Sequence, residues 1–180
     1  MDFSDLLQSV NSIEDKYPPV HLWNPDLCEG VEMKIDREGN WFYQGSIIGR
    51  DKLKILFSRI LKFEDGNYYL VTPVEKVPVK VDLAPYMIID YEVDSDHKNI
   101  ILKTNLDLSI PLDKDHKLEL KKIGDEHIPF VHVRNNLEGF ISRSVYYSLI
   151  EIALKQENDS KELLTLQSFD CLFELGEMID

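Results

Sequence analysis

Cysteine is scarce: Cys28 and Cys171 are the only two among 180 residues, and they form no C-x-x-C pair. A disulfide-dense scaffold and a paired-cysteine zinc or redox site are therefore excluded, and two free buried thiols are expected, although a single bridge is open to the sequence. Basic residues are also short, 20 Lys and Arg against 33 Asp and Glu, for a net charge of −13. Such a surface repels the phosphate backbone and anionic lipid, so neither a nucleic acid nor a membrane is an expected partner. No basic residue precedes Lys16, which is the wrong polarity for a secretory leader, and the apolar run LAPYMII (83–89) is far short of a membrane span. A cytoplasmic location is expected.

Phosphate loops are missing too. There is no G-x-x-x-x-G-K-[ST] and no G-x-G-x-x-G, and GSIIG (45–49) lacks the central serine of a nucleophile elbow. Asp94 and Asp96 begin like a calcium loop, but Lys98 and Asn99 stand where an oxygen ligand and a glycine are required. The histidines His21, His97, His116, His127 and His132 are scattered, and the five-residue spacing of the last two does not make a helical zinc pair. No metal and no cofactor are expected.

What is present is a clear alternation of elements. Phe3, Leu6, Leu7, Val10 and Ile13 make the stripe of an amphipathic N-terminal helix that Pro18-Pro19 stops. PPVHLWNPDLCEG (18–30) reads as an ordered loop anchored by Trp23. Val31, Met33 and Ile35 alternate with Glu32, Lys34 and Asp36, and the polar run 36–40 returns the chain through Trp41-Phe42-Tyr43, which predicts a hairpin. After Gly45 and Gly49 a helix is expected near 50–62, burying Leu53, Leu56, Phe57, Ile60 and Leu61 while Lys52, Lys54, Ser58, Arg59 and Lys62 face out. Asp65-Gly66 turns into the strand NYYLVT, and Pro73 and Pro78 are expected to break pairing around Glu75-Lys76. Residues 79–134 read as strands with tight polar turns, compatible with antiparallel hairpins. SRSVYYSLIEIALK supplies a second helix, QENDSKE a polar break, and LLTLQSFDCLFEL one or two last strands.

The two helices share a pattern. Tyr146, Leu149, Ile150, Ala153 and Leu154 lie 93 residues after Leu53, Leu56, Phe57, Ile60 and Leu61, with Arg143 falling on Arg50. An internal duplication is expected on that spacing, with the two helices superposing.

Candidate site residues follow from charge and position. Thr72, Glu75 and Lys76 close an otherwise apolar strand, and neighbours on a strand point to opposite faces, so Glu75 and Lys76 each need a separate partner or solvent. His132 and Arg134 stand on one face of a strand by alternation. From Arg50 to Lys62 five basic residues stand against one acid, a local charge of +4. A solvated face is the ordinary reading of this helix; an acidic partner, an anionic ligand or another subunit is the sharper one. Arg50 and Arg143 each open a helix, where the macrodipole disfavours a cation, so each is expected to meet an anion. Glu75 and Glu138 are the internal candidates, and a bound anionic ligand is the alternative. With Trp23 and Tyr43, these residues form the expected ligand-binding set.

PPVHLWNP (18–25), WFYQGSIIGR (41–50), LFSRIL (56–61), YYLVTPVEK (68–76), PFVHVR (129–134), LEGFISRSVYYSL (137–149) and LFELG (172–176) resemble a bacterial family known as domain of unknown function 1285. The similarity covers nearly all the chain after the first helix, and departs from it at QENDSKE and at Asp170-Cys171, where the family tends toward glycine. It implies a two-domain α+β protein with structural repeats, strongly bent antiparallel sheets and few helices, and a role in signalling or ligand sensing. It carries over no catalytic residue. The expected fold is therefore α+β in two related halves of bent antiparallel sheet, each with one packed internal helix, plus the N-terminal helix. Residues 1–82 hold that helix, the Pro-rich loop and the first repeat, and 83–180 the mainly-β second repeat. The expected function is a non-enzymatic module binding a small anionic ligand or an acidic protein partner, or self-associating as a homo-oligomer. The competing reading is a metal-independent enzyme built from Glu75, His132 and Arg134 in a polar cleft between the halves.

Overall fold

A computed structural model describes residues 5, 6, 8, 10, 17–156 and 162–177. The chain divides into two compact units, Met1–Pro85 and Tyr86–Asp180. Of the expected N-terminal helix, Asp5, Leu6, Gln8 and Val10 are helical, with Leu6 and Val10 buried; its other residues lie outside the described ones.

In the first unit, alternation sets β1 (Met33–Ile35), whose Met33 and Ile35 are buried while Lys34 is half-exposed. Asp36 turns the chain. Its Oδ1 accepts the N–H groups of Glu38 and Asn40 at 2.9 and 2.8 Å, and Asn40 Nδ2 donates to Oδ2 at 3.1 Å. Burial pushes that carboxyl up, but these hydrogen bonds outweigh it and hold its pKa below the ordinary value. β2 (Trp41–Tyr43) pairs antiparallel with β1, and a turn with positive φ at Gln44 and Gly45 leads to β3 (Ser46–Ile47). This strand was not foreseen, because two residues carry no period.

Helix α1 (Asp51–Arg59) follows. It stops three residues before the expected Lys62: Ile60 leaves helical geometry and Leu61 opens β4 (Leu61–Glu64). Asp65-Gly66, both at positive φ, connects β4 to β5 (Asn67–Val71). β6 (Lys76–Val81) then pairs with β5 and runs through Pro78, which was expected to break it. On the other side of β6 the ladder to β1 begins only at Val79, which leaves room for a residue without an N–H.

The second unit contains β7 (Tyr86–Val93), β8 (Ile100–Thr104), β9 (Ser109–Pro111), β10 (Leu118–Ile123), β11 (Glu126–Arg134) and β12 (Leu137–Ile141). Its sheet order is β10-β11-β12-β7-β8-β9, and that of the first unit is β3-β2-β1-β6-β5-β4. Both are the same plan. Two three-stranded meanders lie side by side, and the first strand of one runs parallel to the last strand of the other, β1 with β6 and β7 with β12. The sheets are therefore mixed and not antiparallel; everything between the two central strands serves as the crossover that a parallel pair requires. The first turn of each unit is held by the same device, since Asp94 Oδ1 accepts from the N–H groups of Lys98 and Asn99, and Asn99 Nδ2 donates to Oδ2 at 2.6 Å.

The repeat is real, but the helices are not its members. In the first unit α1 joins the two meanders, whereas α2 (Arg143–Lys155) follows the last strand of the second unit. The spacing of 93 therefore relates two elements in different topological places, because a 3.6-residue stripe recurs on any helix that packs on one face. The buried face of α2 is also turned from the expected one: Val145, Leu149, Ile152 and Ala153 are buried, while Leu154 is 62% exposed. Ser142 caps this helix, its hydroxyl accepting the Val145 N–H at 3.5 Å.

After α2, β13 (Leu163–Ser168) and β14 (Cys171–Glu177) form a hairpin. Ser168 Oγ accepts the Ile100 N–H at 3.1 Å, and the Gln156 carboxamide bonds to His97 O and to both backbone groups of Gln167. Residues 157–161 of the polar break lie outside the described residues. Both cysteines are free but half-exposed, not buried as expected; Cys171 shares a face of β14 with the buried Phe173 and Leu175 but stands at the first position of the strand. Among the described residues no helix is long and apolar enough to cross a membrane.

Candidate functional site

Helix α1 carries more apolar residues than one face can hide. Phe57 and Ile60 are wholly buried, with Phe57 stacked on Trp41 at 6.4 Å between ring centroids. Full burial of such a side chain contributes about 1.5–3 kcal/mol. Leu53, Leu56 and Ile55 are only half-buried, although Leu53 and Leu56 were expected in the core. Ser58, expected outside, is buried instead, and its hydroxyl donates to Ile55 O at 2.8 Å. The helix therefore has a core face and a second apolar face.

That second face lines a groove of about 970 Å³. Its other wall is the β2–β3 hairpin, which contributes Tyr43, Ser46, Ile47 and Ile48; Ile47 is 61% exposed. The rim is basic: Arg50, Lys52 and Arg59 line it, with no carboxylate among the described lining residues. Elsewhere on the basic stretch, Lys54 pairs with Asp51 at 2.7 Å and Lys62 with Glu64 at 2.7 Å. Among the described residues, Arg50, Lys52 and Arg59 have no hydrogen-bonding or ionic side-chain partner.

Only Tyr43 and Arg50 of the expected binding set reach this groove. Arg50 is the N-cap residue of α1, in extended conformation, and its side chain makes no capping bond. Arg143 is the first residue of α2, highly exposed, and meets Glu126 at 3.3 Å. The two arginines are thus neither equivalent nor paired as expected, because Glu138 is held by Lys121 at 2.5 Å and Glu75 Oε2 is shielded with no hydrogen-bond partner among the described residues. Thr72 is fully buried and its Oγ1 accepts the Glu75 N–H at 3.1 Å, which makes it a turn former. Lys76 lies against Glu64 at 2.5 Å and over the Tyr69 ring at 4.3 Å. Glu64 thus sits between two lysines, and hydrogen bonds from Lys62 and then Lys76 draw its pKa from 4.5 to about 2. Trp23 is half-buried, with Val20 as the buried anchor of its loop, and its carbonyl accepts from Lys62 Nζ at 3.4 Å.

In the second unit, His132 and Arg134 reach different partners. The imidazole bonds to the carbonyls of Asp115 and Asn135, while Arg134 Nε donates to Tyr86 OH at 3.1 Å. The basic residues of α1 were visible in the sequence, but Lys52, Arg59 and the aliphatic wall were missed as site residues. The available signal was a nine-residue helix with apolar residues beyond a single stripe.

Two family models cover almost all of the described chain. Residues 18–84 match the model described as domain of unknown function (DUF1285), N-terminal domain, and residues 85–175 match the DUF1285 C-terminal domain. The chain belongs to the DUF1285 family. A crystal structure of a DUF1285 family protein from Silicibacter pomeroyi is 36% identical, with a TM-score of 0.80, covering 96% of this chain and 95% of that one. A second, from Shewanella baltica, is 29% identical with a TM-score of 0.56, covering 69% of this chain and 94% of that one. No curated protein matches the chain. For a DUF1285 protein, then, the groove has to be judged on its own chemistry.

Proposed function

We propose that the chain is a non-enzymatic binding module and that the groove of the first unit takes an anionic, partly apolar ligand or partner. The carrying observation is that aliphatic lining coincides with three cations, with no carboxylate among the described lining residues and the neighbouring Asp51 taken by Lys54, on a chain of net charge −13. Apolar contact supplies affinity, and the local positive field steers and orients the anion. General acid–base chemistry needs a base within reach of the reacting atom. The described lining has neither a carboxylate nor a histidine, which favours binding over catalysis. A place in signal transduction is part of this proposal, with the occupant as the signal that is read.

The anionic dye 8-anilinonaphthalene-1-sulfonate tests it. Dye fluorescence should rise with the wild type and fall several-fold with Leu56→Glu and with Arg50→Gln/Arg59→Gln, but not with Lys80→Gln, an exposed lysine away from the groove. Dye binding that neither groove variant alters, at an unchanged urea midpoint, refutes the reading.

A further inference from the structure

We infer that the occupant of the groove is an acidic amphipathic helix from a partner protein. This rests on the groove reading above and adds the class of partner. The distribution of charge decides between a helix and a molecule with one charged head. Arg50 and Lys52 stand at the start of α1 and Arg59 is its last residue. At a rise of 1.5 Å per residue, the positive rim extends about 13 Å along the helix. A single carboxylate or phosphate satisfies one end of that row and leaves the other without an anion. Acidic residues spaced along the flank of a helix meet both ends.

The lining decides between a helix and an extended peptide. Between the cations, Leu53, Ile55 and Leu56 face Ile47 and Ile48, with only Tyr43 and Ser46 adding side-chain hydroxyls. An extended peptide brings unpaired backbone groups that such a wall cannot satisfy, and β3, the outer strand of its sheet, is only two residues long. A helix satisfies its own backbone and offers a stripe of apolar side chains, the mode of helix-in-groove recognition. The acids beside that stripe then pair with Arg50, Lys52 and Arg59.

Two labelled helical peptides of about 18 residues test this, with the same leucine stripe and either glutamate or lysine on its flanks. Laurate serves as the single-headed probe. Anisotropy titrations at low salt should show the glutamate peptide binding at least about tenfold more tightly than the lysine peptide. Arg59→Glu should weaken it, and Arg50→Glu/Lys52→Glu/Arg59→Glu should reverse the preference, with an unchanged urea midpoint confirming the fold. Glutamate-peptide binding that ignores these substitutions overturns the inference. If laurate displaces the dye from the groove while neither peptide binds, the helix inference fails and the groove reading stands. If neither laurate nor peptide binds and the dye is insensitive to the groove variants, both fail.

Discussion

Gly139 occupies the centre of β12, opposite Tyr86 in the parallel ladder that joins the two meanders of the second unit. A Cβ at this position would lie 3.1 Å from Tyr86 Cβ, 3.3 Å from Tyr86 O and 3.3 Å from Val133 Cγ2. Its φ lies outside the left-handed region, so the glycine serves space and not backbone conformation. Carbon atoms rest about 3.5–4.0 Å apart, so each neighbour would have to yield by a few tenths of an ångström. Two of the three are a backbone oxygen and a Cβ, which no side-chain rotation can move. Tyr86 is fully buried and its hydroxyl is held by Arg134, so β12 itself must shift away from β7. Gly139→Ala therefore sets an overpacking cost of about 1–3 kcal/mol against an unfolded-state gain of about 0.4–1 kcal/mol, for a net loss centred on about 1 kcal/mol. A lower urea midpoint at unchanged slope is the expected result. In the first unit the corresponding pair is Met33 with Val79, where both residues carry side chains, so Val79→Ala should lose stability through lost burial alone. A Gly139→Ala variant as stable as the wild type, or more so, refutes the crowding argument.

Glu64 offers a test by pH. Its folded pKa lies below its unfolded value, so its contribution is present above the unfolded value and is lost as pH falls through the folded one. The stability difference between wild type and Glu64→Gln should be full at neutral pH and fade between pH 4.5 and about 2, read from urea denaturation across that range. A difference that stays flat would show that the clasp with Lys62 and Lys76 does not stabilise the fold. At the β13–β14 turn, Phe169 and Asp170 have φ of 46° and 59°, conformations that cost a residue with a side chain about 1–2 kcal/mol. Asp170→Gly should therefore raise the melting temperature, by about 1 kcal/mol of stability, and a fall would refute the turn argument.

Local order was written plainly in the sequence. Asp36 with Asn40, Asp65-Gly66 and Asp94 with Asn99 mark turns because short polar side chains and glycine settle a turn within a few residues. Strands such as β8, with Ile100, Leu102 and Thr104 buried, follow from a period of two. The surplus of positive charge on α1 was equally legible. What could not be read is whatever depends on residues far apart in the chain. Periodicity says that a strand has a buried face but not which edge it pairs with, so the parallel ladders β1–β6 and β7–β12 had no local signal. It also could not tell that α1 and α2 hold different places in a shared plan, since packing on one face gives any helix the same stripe. Nor does a run of lysines and arginines say which of them finds an acid. Asp51 takes Lys54 and Glu64 takes Lys62 within single elements, but Glu64 also meets Lys76 because the fold brings β6 within reach, and Arg50, Lys52 and Arg59 are left beside an aliphatic wall. Sequence by itself determined the turns, the alternation and the local charge, all short-range properties of the chain. Strand order and the ion pairs between strands, such as Lys76 with Glu64 and Lys121 with Glu138, were decided by the tertiary structure, because both are set by which distant residues meet.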